Sequence, residues 1–283
     1  MYKKSLCIIF LLLFNSANAN PSWRWHDDFS NREKEKLVDW ILHAEQGMEN
    51  LFGALPYRYT VHFHRMKRGR GPTPWANTDK RRGRSVHFYV NTAYAWSAFE
   101  KDWTASHELS HLMFPYIGTS GRWFSEGLAS YLQYQIMYAS GTINWRQAIN
   151  RYAERLNAAR RQNTFGDMSI SNVSNLPSLK GANVRLYWGG ASYFLLVDHA
   201  LKAQKNIRLN DVISAYMECC MFRDYSSAEE MIEVFDSISE SEIFTEYYLG
   251  SVSQRGFPRT RESLSWLKSN PPDLKQVKKA RLN

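Results

Sequence analysis

Cysteine is scarce in this chain, which has three copies in 283 residues. Cys7 lies in an apolar N-terminal run, and the other two, Cys219 and Cys220, are neighbours. Neighbouring cysteines cannot cross-link distant loops, so a disulfide framework is excluded. We expect two buried or weakly reactive thiols there, with a strained disulfide between them as the alternative. The fold must then rest on an apolar core, for which 15 Phe, 16 Tyr and 10 Trp provide ample surface.

Long apolar runs are also missing, because no segment after residue 19 approaches the roughly 18 apolar residues of a transmembrane helix. The first 19 residues combine two lysines, an apolar stretch at 6–14 and a small-residue end at 15–19, which is the order of a secretory signal peptide. We therefore expect an exported protein, periplasmic or secreted, without a transmembrane segment. Removal of the signal would change the net charge from +9 to +7, because the signal carries two lysines and no acid.

Acidic residues are outnumbered, with 27 Asp and Glu against 36 Lys and Arg. Much of the excess falls in the basic loop, residues 65–84, where eight Lys or Arg accompany glycines, prolines and Trp75. Such a loop predicts contact with an anionic envelope polymer, a lipid headgroup or an acidic substrate. A mobile, solvated loop is the alternative interpretation. Nucleic acid is not an expected partner of an exported protein.

Hydrophobic periodicity predicts an α+β protein. A helix over residues 31–51 precedes two strands, 57–64 and 85–91, which the basic loop joins. The remainder is predicted to be helical over 102–114, 122–137, 144–161, 190–203, 209–219, 227–235 and 259–267, with a long connection at 162–185. After the signal peptide at 1–19, we thus expect a small mixed helix-sheet part over 20–100 and an α-helical part over 101–283, together forming one unit.

The segment 107–111 reads His-Glu-Leu-Ser-His, an H-E-x-x-H string in a predicted helix. On a helix, His107 and His111 share a face, so both imidazoles can bind one metal ion. Glu108 projects beside them, where it can activate a water molecule. The string arises by chance in about one such sequence in a hundred, so a third ligand is needed to support a metal site.

Glu126 is the candidate for this third ligand. Helix-breaking residues at 115–121 predict a turn, after which a second helix from Arg122 returns antiparallel to the first. Two His and one Glu leave one coordination position open, which is typical of a catalytic zinc site. Structural zinc sites fill four positions and favour cysteine, which this chain does not offer.

Residues 123–129 read Trp-Phe-Ser-Glu-Gly-Leu-Ala, which resembles the W-[FLV]-x-E-G-[FLM]-A context of the gluzincin metallopeptidases, especially their aminopeptidase-like branch. The resemblance implies a thermolysin-like zincin fold and one Zn²⁺ per chain, held by His107, His111 and Glu126. It also implies that Glu108 is the general base and acid. In that branch a Tyr about sixty residues beyond the Glu stabilises the tetrahedral intermediate, and Tyr187, in a Tyr-Trp-Gly-Gly string, fits that role. A packing role for Tyr187 at a helix entrance is the alternative.

Two departures from the family pattern concern specificity and support of the ligands. The aminopeptidases carry a G-x-M-E-N strand shortly before H-E-x-x-H, whereas residues 47–50 here read Gly-Met-Glu-Asn in a predicted helix, and the strand at 85–91 has no Glu. The choice between endo- and aminopeptidase therefore stays open. Ser130 replaces an Asp that orients a zinc-bound His in thermolysin-like enzymes, so this support must come from elsewhere.

For the other histidines we expect no role in catalysis. His62 and His64 share a strand face and could bind a second metal ion, but we expect exposed or hydrogen-bonded side chains because no acid lies nearby in sequence. His26 is expected to be solvated. His199 is expected either to support the metal site or to lie on the surface.

The sequence therefore predicts an exported zinc-dependent metallopeptidase that hydrolyses peptide bonds in a peptide or protein substrate. The alternative is a non-catalytic binding or assembly protein of the envelope on the same fold. The basic loop and the basic tail at 275–281 keep this alternative open.

Overall fold

The protein is described as a computed structural model that covers residues 21–80, 83–176 and 182–275. The predicted signal peptide at 1–19 lies outside these residues, as do Arg81, Arg82 and nearly all of the basic tail. The predicted α+β class is confirmed: a four-stranded sheet and one long helix come first, and a helical assembly follows.

The sheet consists of β1 (Ser22–Trp25), β2 (Thr60–Arg65), β3 (Trp75–Asp79) and β4 (Ser85–Val90) in the order β1-β2-β4-β3. The first three strands in this order run parallel, and β3 pairs antiparallel with β4 at one edge. The basic loop was predicted to be irregular, and this was wrong, because its second half forms β3. Its polar Trp-Ala-Asn-Thr-Asp sequence lacks the hydrophobic alternation that predicts a strand.

Helix α1 (Asn31–Phe52) connects β1 to β2 and covers one face of the sheet. Ser30 caps its first turn in a reciprocal arrangement with Glu33, which fixes where the helix begins. On its buried side, Trp40 meets the ring of Phe88 edge to face at 5.0 Å. The sequence prediction of this helix is confirmed.

The helical part begins after the sheet and contains the predicted helices, together with short helices that the periodicity did not reveal. They are α2 (Trp96–Glu100), α3 (Thr104–His111), α4 (Arg122–Ala139), α5 (Trp145–Gln162), α6 (Ile170–Ser174), α7 (Ala182–Lys205), α8 (Leu209–Cys219), α9 (Ala228–Ser239), α10 (Ile243–Tyr247), a π-helical turn (Tyr248–Val252) and α11 (Arg261–Ser269). Helix α6 lies inside the predicted long connection, and α7 begins eight residues before the predicted start at residue 190.

A buried ion pair joins α7 to α8. Both carboxylate oxygens of Asp198 accept from Arg208, at 2.9 and 2.7 Å, and one of them also accepts from the hydroxyl of Tyr131 on α4. These bonds satisfy a carboxylate that would otherwise be buried without a partner. His199, next in sequence, is partly buried, bonds to Ser263 and stacks on Trp266, so the predicted support of the metal site is not found.

Cys219 and Cys220 form a disulfide at the end of α8. The expectation of two free thiols was therefore wrong, and the alternative of a bond between neighbours holds. Within the described part of the chain, no helix has both the length and the apolar character needed to cross a membrane.

Candidate metal centre and cleft

Helix α3 presents the two histidines of the H-E-x-x-H string on one side. Asp102 Oδ1 accepts from the backbone N–H of Thr104 at 2.7 Å, which satisfies a free donor at the start of the helix. One helical turn then separates His107 from His111, and their ring centroids are 4.9 Å apart. The predicted convergence of the two imidazoles is present.

Glu126 lies in the second turn of α4 and reaches both histidines. Its Oε2 is 3.2 Å from Nε2 of His107 and 3.5 Å from Nε2 of His111. The ligand atoms of the three residues all lie within 4.8 Å of one another. Two imidazoles and one carboxylate that converge in this way form a donor set that suits zinc and leaves a coordination position open.

The remaining nitrogens of the two imidazoles have their own partners. Nδ1 of His107 lies 3.0 Å from Oε1 of Gln133, which is buried on α4, and Nδ1 of His111 lies 3.2 Å from Oγ of Ser125. We assign the Nδ1–H tautomer to His107, because an amide oxygen can only accept. This leaves the lone pair of Nε2 directed at the site. The support that Ser130 cannot give thus comes from Gln133 and Ser125, to which the sequence analysis gave no role.

The two carboxylates of the site have strongly shifted pKa values, in opposite directions. Burial opposes ionisation of Glu126, but the adjacent His111 and His107 outweigh it and hold the pKa of Glu126 well below its usual range. Burial raises the pKa of Glu108 to about 7, although His107 acts in the opposite direction. Glu108 is therefore balanced between carboxylate and acid near neutrality, which suits a group that first takes a proton and then returns it.

A cleft of about 480 Å³ opens beside the metal site. One wall is the edge strand β3, and the other is formed by Glu108, His111, Glu126 and Tyr187. Trp75, which the sequence suggested as a binding tip, is 59% exposed and lies on the β3 wall of the cleft. The predicted strand at 85–91, which is β4, does not belong to the lining, so the strand beside the metal site is β3 instead.

Tyr187 lies on α7 beside the metal site, with its ring 5.5 Å from that of His107. It lines the cleft, and burial together with the nearby carboxylates of Glu126 and Glu108 raises the pKa of its phenol. The hydroxyl therefore keeps its proton at neutral pH and remains a hydrogen-bond donor. The structure brings together all the site residues predicted from the sequence.

The basic loop is only partly a free surface. The guanidinium of Arg65 donates to Glu33, Thr92 and the carbonyl of Asp28, and Arg84 donates to the carbonyl of Leu112. Lys80 turns into the cleft, where burial lowers its pKa to about 7. The sequence was interpreted as a loop that contacts an anionic partner or is solvated, because nothing in the local pattern distinguishes an arginine held by the fold from an exposed one.

Comparison with protein-family models found no match, and comparison with the curated proteins found none either. Among solved structures, the fold is similar to that of a two-domain M1 zinc metallopeptidase, a mutant bound to L-arginine, with a TM-score of 0.52 and 13% identity over 85% of this chain and 50% of that one. M1 zinc metallopeptidases of Deinococcus radiodurans give TM-scores of 0.48 and 0.47, both at 14% identity, over 85% and 83% of this chain and 50% and 48% of those.

The chain thus spans about half the length of the solved proteins that it resembles. The resemblance inferred from the motifs is thus confirmed at the level of the fold, which is similar to that of an M1 zinc metallopeptidase.

Proposed function

We propose that the protein is an exported zinc-dependent peptidase whose metal ion is held by His107, His111 and Glu126. The observation that carries the proposal is the position of one Glu126 oxygen beside both Nε2 atoms, at 3.2 and 3.5 Å, in the wall of a cleft. Export rests on the signal-like first 19 residues alone.

The three side chains fit zinc in number and in chemistry. Zinc in such a site supplies a Lewis acid that polarises a carbonyl group and makes water more acidic. The protein contributes the geometry: Gln133 and Ser125 fix the two imidazole rings, so that little conformational freedom remains to be lost when the ion binds.

Glu108 is proposed as the general base. It is adjacent to His107 in sequence, lines the same cleft, and has a pKa near 7. Its carboxylate would accept a proton from a water molecule in the site and then donate it to the nitrogen of the leaving amine.

Tyr187 is proposed to donate a hydrogen bond to the oxygen of the attacked carbonyl as negative charge develops there. Its phenol faces the cleft, and its raised pKa keeps the donor proton in place through the catalytic cycle.

The substrate is proposed to be a peptide in an extended conformation. Strand β3 lies at the edge of the sheet and forms a wall of the cleft, so that a peptide can pair with it as an additional strand. Such pairing holds the backbone without selecting side chains, so the other residues that line the cleft would determine which sequences are cut.

A purely binding role at the envelope has less support. Its main feature was the basic loop, and Arg65, Lys80 and Arg84 of that loop are engaged with the fold or the cleft. Exposed basic residues remain at Lys67, Arg68 and Arg70. The cleft lining, in contrast, includes Glu108, His111, Glu126 and Tyr187, which supports the proposal of hydrolysis.

The test is hydrolysis of a library of quenched fluorescent peptides by the zinc-loaded protein and by its Glu108→Gln variant. We expect the variant to keep its zinc and to lose at least about 100-fold in kcat/KM, which is the usual contribution of a general base. The control is Glu35→Gln, which alters an exposed carboxylate on α1. Equal hydrolysis by the wild type and Glu108→Gln, or no hydrolysis by zinc-loaded wild type, would overturn the proposal.

A further inference from the structure

Four histidines meet on the face of the sheet that α1 does not cover. His62 and His64 alternate with buried Phe63 on β2, and His87 lies beside His62 on β4. His26 follows β1 and is held next to β2 by its backbone N–H, which donates to the carbonyl of Phe63. Because side chains alternate across a strand, the four imidazoles point away from the core. We call these residues the histidine cluster.

The imidazoles of the cluster form two hydrogen-bonded pairs. Nε2 of His26 lies 2.8 Å from Nδ1 of His62, and Nε2 of His64 lies 3.1 Å from Nδ1 of His87. The pairs also stack, with ring centroids 4.2 Å apart for His26 and His64 and 4.1 Å apart for His62 and His87. His26 is exposed, as expected, but it also bonds to His62. The expectation of exposed or hydrogen-bonded side chains for His62 and His64 is confirmed, and their hydrogen-bond partners are other histidines.

The protonation state of these rings favours ligation. Burial and the neighbouring imidazoles lower the pKa of His62 to about 4, and the pKa values of His64 and His87 are also lowered. Asp27 near His64 and Asp79 near His87 act in the opposite direction, but more weakly. Neutral imidazole is the form that binds a metal, so the lowered pKa values of these three histidines favour ligation.

We propose that the histidine cluster is a second metal site, which binds a divalent transition-metal ion such as Zn²⁺, Cu²⁺ or Ni²⁺. Two nitrogens that ligate one tetrahedral ion at about 2.0–2.1 Å are about 3.3 Å apart, close to the separations within each pair. The ion takes the place of the proton in each N–H···N bond, and that proton moves to the other nitrogen of the same imidazole, so the rings stay neutral. Because the two pairs are stacked, with centroids 4.1 and 4.2 Å apart, the rings must also rotate for the lone pairs of both pairs to converge on one ion. An all-nitrogen set suits these ions and does not suit Mg²⁺ or Ca²⁺, which prefer oxygen.

The cluster is separate from the catalytic centre. None of its four residues belongs to the lining of the cleft, which takes its ligands from α3 and α4. Its ligands come instead from β2, β4 and the end of β1. A site with four protein ligands leaves no position open for a substrate, so the bound ion ties three strands of the sheet together and stabilises the fold.

The test is titration of the metal-free protein with Cu²⁺, followed by electron paramagnetic resonance for nitrogen coordination, and by thermal melting. We expect two equivalents to bind in the wild type. The variants His62→Asn and His87→Asn should each weaken one equivalent by at least about 10-fold, the loss typical for an altered site. The matched control is His43→Asn, which alters a histidine of α1 that bonds to Thr142. It should keep both equivalents.

The variant His111→Ala distinguishes the two sites. It should lose the ion in the cleft and keep the ion in the histidine cluster. Copper should then still show nitrogen coordination by electron paramagnetic resonance and still raise the Tm. Should His62→Asn or His87→Asn fail to fold, His26→Asn, at an exposed position, supplies the same test. The proposal is overturned if the cluster variants bind copper as tightly as the His43→Asn control. It is equally overturned if the cluster responds only to protons, so that Tm varies with pH in the wild type but not with added metal.

Discussion

Gly127 of α4 and Gly190 of α7 lie directly against each other where the two helices cross. A Cβ atom on Gly127 would be 2.4 Å from the Cα of Gly190, and one on Gly190 would be 2.3 Å from the carbonyl oxygen of Trp123. This close approach places Glu126, adjacent to the first glycine, beside Tyr187, which is one turn before the second. These two glycines therefore set the distance between a metal ligand and the proposed oxyanion donor.

Replacement of either glycine by alanine should separate the helices. Both steric conflicts are with backbone atoms, which cannot rotate away, so we expect Gly127→Ala or Gly190→Ala to cost about 3 kcal/mol in the free energy of unfolding. For a chain of this size this corresponds to a fall in Tm of about 6–12 °C. Gly250→Ala is the control, because no atom lies within 4 Å of its added Cβ. An unchanged Tm in both Gly127→Ala and Gly190→Ala would show that the two helices are not closely packed at this crossing.

Gln133 should influence zinc affinity although it does not touch the ion. Its Oε1 accepts from Nδ1 of His107 and holds the ring with Nε2 facing the site. The change Gln133→Leu removes this acceptor, and zinc affinity should fall about 10- to 100-fold. Competition with a chromogenic chelator measures the change. Gln46→Leu, on α1 away from the cleft, should leave the affinity as it is, and equal affinities for the two variants would refute the role of Gln133.

Tyr187→Phe isolates the proposed oxyanion contact. Because the phenol would bind the transition state more strongly than the substrate, kcat should fall about 100-fold while KM and the zinc content stay close to those of the wild type. Tyr116→Phe makes the same chemical change at a residue that lines the cleft but is 62% exposed. It should leave kcat and KM unchanged. A rise in KM at constant kcat would instead assign Tyr187 to substrate binding.

Glu45 should make stability depend on pH. It is buried on α1, accepts from the hydroxyl of Tyr59, and has a pKa raised by burial to about 7 from a reference value of 4.5. Since the folded pKa exceeds the unfolded pKa, its favourable contribution is complete below pH 4.5 and is lost as pH rises through 7. Glu45→Gln removes the ionisation and should therefore gain about 2–3 kcal/mol relative to the wild type between pH 4.5 and 8.

Denaturant unfolding of the two proteins at both pH values measures this difference. Glu35→Gln, which changes an exposed carboxylate of the same helix, should show no such trend. Wild-type and Glu45→Gln curves that run parallel with pH would show that Glu45 ionises normally in the fold.

The metal centre was predictable because its residues are linked by short spacings with a helical meaning. His107 and His111 are one turn apart on α3, and Glu126 follows after a single turn between two helices, so local rules were sufficient to place all three. Gln133 was missed because its partner depends on how α4 packs on α3, and Gln has no spacing that marks it as a support for His.

Strand β3 and the histidine cluster show the limit of local pattern. The strand has a polar sequence and exists because it pairs with β4, a relationship that periodicity within the segment does not contain. His26 and His87 lie 61 residues apart in sequence, and only the parallel order of β1, β2 and β4 brings them together. Likewise, the number of cysteines restricted Cys219 and Cys220 to two states without deciding between them.

The most direct test of the central claim is the zinc content of the purified wild type and of His111→Ala, measured by mass spectrometry after dialysis against a chelator. We predict that the wild type holds one more zinc ion per chain than His111→Ala, because His107 and Glu126 alone form an incomplete site. The difference is independent of any ion in the histidine cluster, which both proteins share. Equal zinc contents would contradict a metal centre formed by His107, His111 and Glu126, and with it the proposed peptidase.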